Sequence, residues 1–208
     1  MNKNQKSNRT GVYLMVAGAL LLAVAALLLG YNVLYLERQA SAATRQVAQI
    51  LRDQVLPSQP IEEGTQPREM QSVEVGGVSF IGLLEIPALD LSLPVAKDFS
   101  YEVLQKNVCR YAGSYLDDTM IIAGHNYRCH FQKIGTLTAG DSVQFTDVTG
   151  RVHSYSVTSV ETLDGTAGAD LPWDQPGLTL FTCTYSGRAR YVVRCSPVPE
   201  KTAQNGSL

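Results

Sequence analysis

Charge is scarce in this chain. Asp, Glu, Lys and Arg make up 17% of its 208 residues, against roughly a quarter in ordinary globular proteins. The net charge is only −2, so there is no broad positive field and nucleic acid is disfavoured as a partner. Four cysteines (Cys109, Cys129, Cys183, Cys195) include no C-x-x-C pair, which argues against a thiol-redox protein. Four in a domain of this size are also too few for a dense disulfide framework. There is no internal repeat, no low-complexity tract and no convincing acidic cluster for a hard cation.

The charge deficit is partly local. From Gly11 to Leu36 there is no Asp, Glu, Lys or Arg. As a helix this stretch is about 39 Å long, enough to cross the roughly 30 Å hydrocarbon core of a bilayer with some tilt. Lys3, Lys6 and Arg9 precede it with no acid, which predicts residues 1–10 in the cytoplasm and the rest of the chain outside. Tyr31 and Tyr35 fall near the outer end, where interfacial aromatics are favoured. A cleaved secretory signal is the competing reading, since Ala40-Ser41-Ala42 resembles a cleavage site. The apolar stretch is longer than a signal's usual core of about 7–15 residues, and either reading carries the remainder across the membrane.

Residues 37–72 read as an extracytoplasmic stalk. Val47, Ile50, Leu51 and Val55 recur at helical spacing, a continuation of the 11–36 anchor. Pro57, Pro60, Gly64 and Pro67 then break regular structure, leaving 56–72 as a linker. From Val73 onward the texture is β. Strands are expected at Val78–Ile86, Leu91–Val95, Met120–Ala123, Ser142–Phe145, Val152–Glu161, Leu178–Thr182 and Tyr191–Cys195, with short helices at Ser100–Asn107 and Phe131–Leu137. So many short strands in residues 73–208 point to a closed barrel or a sandwich.

Two apolar strands end in reactive residues. Leu178–Thr182 runs into Cys183; a turn-like Thr184-Tyr185-Ser186-Gly187 follows, and Arg190 heads the next strand. If the two strands pair as a hairpin, Cys183 and Arg190 are neighbours. A cation beside a thiol favours the nucleophilic thiolate, and a guanidinium supplies fixed donors to a developing oxyanion. Ile121-Ile122-Ala123-Gly124 leads in the same way into His125. A cysteine nucleophile needs such a proton carrier, and catalytic Cys and His meet in space rather than in sequence. Each signal alone is weak: a strand-end Cys is commonly a small buried hydrophobe, a His after Gly a turn residue, an Arg a solvated charge.

Together these residues match a family. Thr179-Leu180-Phe181-Thr182-Cys183 with Arg190 resembles the TLxTC…R signature of sortases, and Ala123-Gly124-His125-Asn126 resembles their catalytic-histidine motif. Ile81–Pro87 and Leu91–Val95 are similar to the family's opening strands. The resemblance covers about Val78 to Arg194. It implies an eight-stranded β-barrel carrying a groove, behind one N-terminal transmembrane helix. It also implies a reaction. Cys183 attacks the Thr carbonyl of an LPXTG-type sorting signal and forms a thioacyl enzyme. His125 protonates the departing amine and later deprotonates the incoming one, while Arg190 holds the oxyanion. Thr182 orients substrate or supports the oxyanion site. The partners implied are surface proteins or pilins, and an acceptor amine from a cell-wall precursor or a pilin lysine, at a Gram-positive cell membrane. The chemistry requires no cofactor; calcium activates some sortases, but no site for it stands out here.

The stretch between His125 and Cys183 leaves no room for the helical insertion of class B sortases, and no second apolar segment of the class C kind follows. A small class A or D type is therefore expected. Trp173, in the connection 164–177 that shapes the signal pocket in this family, is a candidate substrate contact, with plain packing as the alternative. Cys109, Cys129 and Cys195 are extra to the pattern; buried or unpaired thiols are expected, with a Cys109–Cys129 bridge, or a Cys129 that lines the active site, as the alternatives. Cys129 and His130 are adjacent and lack zinc-ligand spacing. His153, next to Arg151 in a strand, reads as a surface residue. Two other functions stay open: a sortase-like hydrolase using water as acceptor, and a non-catalytic assembly domain.

Overall fold

A computed structural model describes residues 4–55, 69–165, 176–184 and 186–199. Contacts divide the chain into two units, residues 1–39 and 40–208. The first unit is helical, the opening part of helix α1 (Asn4–Ile50). Its large apolar side chains face outward, with Leu21 at 72% and Leu28 at 63% exposure. A helix apolar on every side has no face to give to water, and by length and composition it can cross a membrane. Tyr31 and Tyr35 stack at 6.0 Å between ring centroids, and the Tyr35 hydroxyl accepts from Gln39 at 2.7 Å.

The second unit begins inside the same helix and continues into a π turn, Leu51–Val55. Ala40, Thr44, Ala48 and Leu51 fall on one helical face and all are buried there. Leu51 packs with Phe80, Ala96 and Leu104. The segment 40–51 is thus a packed part of the domain, where the sequence suggested stalk from 37 to 72; residues 56–68 of that stretch lie outside the described residues. The difference has a physical reason. Three of the four buried positions are Ala or Thr, which carry little hydrophobic signal yet let a helix approach a sheet closely.

The β strands are β1 (Val73–Val75), β2 (Val78–Ile86), β3 (Leu91–Ala96), β4 (Val108–Ala112), β5 (Ile121–Ala123), β6 (Ser142–Asp147), β7 (Val152–Asp164), β8 (Leu178–Cys183) and β9 (Ala189–Pro197). They pair in the order β1-β2-β3-β4-β5-β8-β9-β7-β6, and β6 pairs back onto β2. Eight strands, β2 to β9, therefore close a barrel, and β1 extends the edge of β2 that β6 leaves free. This is the mainly β architecture that the resemblance implied. Closure removes the open edges that would template aggregation. Two pairings are parallel, β3–β4 and β5–β8.

β4 was not expected, because Val108–Ala112 mixes Cys, Arg and Tyr and follows directly on a helical turn. That turn, α2, spans only Tyr101–Leu104, with the Ser100 hydroxyl accepting from Val103 N at 3.1 Å as its N-cap. The helix expected over Phe131–Leu137 shrinks to a 3-10 turn at Ile134–Thr136. Gly135 sits mid-segment, where a Cβ would meet the Tyr191 ring at 2.9 Å, so close approach to β9 decides the local structure over helical pattern.

The pleat sorts side chains into two apolar clusters. Leu178 and Leu180 of β8, Ile122 of β5 and Val193 and Cys195 of β9 join the main cluster that fills the barrel. Phe181, Ile121, Ala123 and Val192 lie on the opposite face, in a second cluster with Leu51, Phe80 and Cys109. Full burial of each such Leu, Val or Phe stabilises the fold by about 1.5–3 kcal/mol. Which cluster a residue joins decides which face its neighbours two positions away must take.

Candidate active site

Cys183 ends β8, and its strand-pairing partner is Arg190. Directly opposed residues of an antiparallel pair stand about 4.5–5.5 Å apart at Cβ, on one face. The hairpin turns tightly beyond them: Thr184 N donates to Ala189 O at 2.8 Å, Gly187 N to Thr184 O at 2.9 Å, and Gly187 has φ +70°. Cys183 follows Phe181 by two residues and so shares its face, away from the barrel interior. The strand is buried from Leu178 to Thr182 and emerges into solvent at Cys183. Arg190 lies with its guanidinium carbon 5.8 Å from the Phe181 ring centroid, an arrangement that holds a cation over a π face. Tyr111 meets the Phe181 ring edge-on at 5.2 Å, and Phe99 meets Tyr111 at 5.1 Å. The half-buried Arg190 is thus backed by a row of aromatics.

The histidine reaches the same place by parallel pairing. Ala123 pairs with Phe181, and the ladder runs one residue further through Gly124 N donating to Phe181 O at 3.1 Å. His125 follows Ala123 by two residues, as Cys183 follows Phe181, and Ala123 belongs to the face of Phe181. The pairing brings the strand ends that lead to Cys183, Arg190 and His125, the three residues that the sequence singled out, to one end of β5, β8 and β9. Gly124 makes the turn possible: a Cβ there would meet the fully buried Phe131 ring at 2.5 Å. Phe131 N in turn donates to His125 O at 3.1 Å. The His125 imidazole is half-buried and stacks on Tyr127, 4.8 Å between centroids at 24°. Burial lowers its pKa below the ordinary 6.5, which favours the neutral ring.

Thr182 is 1% exposed and takes the interior face with Leu180; its hydroxyl has no hydrogen-bond partner among the described residues. The Asn126 Oδ1 is likewise buried and unpartnered among them. Trp173 lies outside the described residues. Cys109 is in no disulfide, so it is not bridged to Cys129. Cys109 and Cys195 are core residues, and burial raises both thiols to about 12, far from reactivity. Among the described residues no group of three or more His, Cys, Asp or Glu is placed to hold a metal. His153 is no plain surface residue: its ring nitrogen pairs with the buried Asp147 carboxylate at 3.2 Å.

Sequence reasoning passed over three residues behind His125. Tyr127 stacks on it, the His130 ring lies 5.7 Å from Tyr127, and Thr44 meets His130 Nε2 at 3.1 Å. The motif stops at Asn126, and nothing in the spacing of Thr44 and His130 signals that they touch.

The model of the sortase domain matches residues 84–198. Sortase D of Bacillus subtilis is 30% identical over 122 residues, covering 54% of this chain; the chain spans 61% of that relative's length. Among solved structures, sortase C of Streptococcus pneumoniae aligns over 74% of this chain and 88% of its own, with a TM-score of 0.52 at 22% identity. A Clostridium perfringens sortase D5 aligns over 63% and 83%, with a TM-score of 0.50 at 22% identity. At that identity the structures attest the barrel alone, whereas the domain match covers the candidate residues as well. The chain belongs to the sortase family.

Proposed function

We propose that the protein is a membrane-anchored cysteine transpeptidase that cleaves an LPXTG-like sorting signal between Thr and Gly. What supports this reading is the register: Arg190 pairs with an exposed Cys183 across β8 and β9, and β5, which leads into His125, runs parallel to β8. His125 takes the thiol proton as Cys183 Sγ adds to the Thr carbonyl carbon; the oxyanion that forms is held by the guanidinium of Arg190, already fixed over Phe181. Collapse breaks the Thr–Gly bond, and His125 gives its proton to the departing amine, leaving a thioester on Cys183. An acceptor amine then attacks the thioester, His125 takes its proton, and an amide replaces the thioester. Thr182, buried on the interior face, enters as support for this geometry, and Trp173 as a contact to the signal. The chemistry uses side chains only and needs no cofactor.

The charge-free helix fits an uncleaved anchor with residues 1–10 inside and the domain outside, so surface proteins or pilins and a wall-precursor or pilin amine are the natural partners. The 30% likeness to a sortase D favours a small class A or D type. The test incubates the full chain in detergent with a quenched fluorescent library of LPXTG-type peptides and a small amine, beside Cys183→Ala, with products read by mass. An amine-linked product that is absent from the variant supports the reading and reveals the motif. Free acid alone shifts it to a hydrolase. No cleavage by a folded chain whose Cys183 still alkylates points to a binding role.

A further inference from the structure

Thr44 and His130 are buried, polar and unused by the chemistry above. Thr44 Oγ1 donates its only proton to Lys106 O at 3.1 Å, so it can only accept from His130 Nε2, also at 3.1 Å. His130 therefore carries its proton on Nε2, and its Nδ1 is a bare acceptor, buried without a partner among the described residues. Burial, with the nearby charge of His125 adding to it, lowers the His130 pKa to about 4, so the ring is neutral under ordinary conditions. A histidine held this way is a poor choice for stability alone. An unmet buried acceptor is costly, and an apolar ring of the same shape avoids that cost.

What His130 touches gives it a purpose. Its ring tilts against Tyr127, and Tyr127 stacks on His125. The loop is folded to bring this about: His130 N and Gln132 N both donate to Tyr127 O, at 3.0 and 3.2 Å. A rotation of the His130 ring would slide Tyr127 and, with it, the imidazole that must reach Cys183. The bond from Thr44 blocks that rotation, and Thr44 sits in a helix locked to the barrel by Leu51. The ionisable groups around the row are Tyr127 and His130 on the loop, Arg128 and Lys133, which line a cavity with His130, and the paired Cys183 and Arg190 on the hairpin.

We propose that Thr44 and His130 are positioning residues, which hold the His125 imidazole in register with Cys183 through the ring of Tyr127. The inference rests on the transpeptidase reading for its purpose, though its geometry can be measured without catalysis. The experiment uses the full chain in detergent, with its histidines labelled for NMR. In the wild type, His130 shows the Nε2–H tautomer and stays neutral from pH 8 to 5; the other tautomer, or titration in the ordinary histidine range, overturns the proposal. In Thr44→Val the His125 titration midpoint rises toward 6.5 as the loosened stack admits water, kcat falls about tenfold and KM stays within about twofold. Thr44→Ser restores all three. A His125 midpoint that does not move in Thr44→Val also overturns it. Product formation by Cys183→Ala would instead sink the transpeptidase reading and leave these titrations standing.

Discussion

Truncating Leu51 to Ala tests whether the end of α1 belongs to the catalytic domain. Leu51 is 0% exposed and packs among Phe80, Ala96, Leu104, Cys109, Phe181 and neighbours. Removing a buried Leu side chain costs the transfer of its methyl groups plus the cavity left behind, about 2–5 kcal/mol. The wall of this site is sheet on one side and helix on the other, and a sheet cannot collapse into a gap; about 3 kcal/mol is therefore expected. For a domain this size each kcal/mol moves the melting temperature by about 2–4 °C, so the shift should be about 6–12 °C downward. The assay is thermal unfolding of the full chain in detergent, followed by near-ultraviolet circular dichroism, which reports the barrel's tertiary packing. Gln49→Ala, on the exposed face two residues away, is the control and should change little. A Leu51→Ala chain that melts within about 1 °C of wild type would refute the packing argument and restore the segment to a linker.

Two further outcomes follow from the site. Arg190→Lys keeps the charge but loses the planar fork and its seat over Phe181, so kcat should fall about 10²–10³-fold in a peptide-cleavage assay while folding is preserved. The buried His130 makes stability depend on pH. The unfolded chain takes up this proton as pH falls below 6.5, the native state only near 4, so about 3 kcal/mol is lost across that window. Urea unfolding at pH 7 and pH 4.5 measures the loss, and His130→Phe should flatten it.

The site was legible where chemistry is carried by residue type. Cys183, His125 and Arg190 each terminate or head a strand that Val, Ile, Leu and Thr announce plainly, and chain order gave no obstacle to their meeting. What stayed hidden depends on contacts rather than type. β4 does not look like a strand, yet Val108 and Cys109 pair with β3 and Cys109, Arg110 and Ala112 with β5, so tertiary pairing overrides local preference. The helical face of Ala40, Thr44 and Ala48 is too weakly apolar to register as a packing surface. The Phe131–Leu137 stretch has helical composition, yet Gly135 is held against the Tyr191 ring. Thr44 and His130 have no periodic or motif relation; only the closed barrel brings them together.

The parallel pairing of β5 with β8 has a consequence in time. Residues 121–123 must wait for residues 179–181 before they find their neighbour. A contact between segments so far apart in sequence closes late, because loop entropy opposes it until other strands have drawn the ends together. The thiol sits on the later of the two strands, and the imidazole on the earlier. In the proposed reaction neither works until the chain between them has folded, so a partly folded copy carries a cysteine without its proton carrier. In the proposed transpeptidase the late contact and the onset of reactivity are then one event, and a half-made molecule is spared from being acylated on Cys183 by whatever peptide lies nearby.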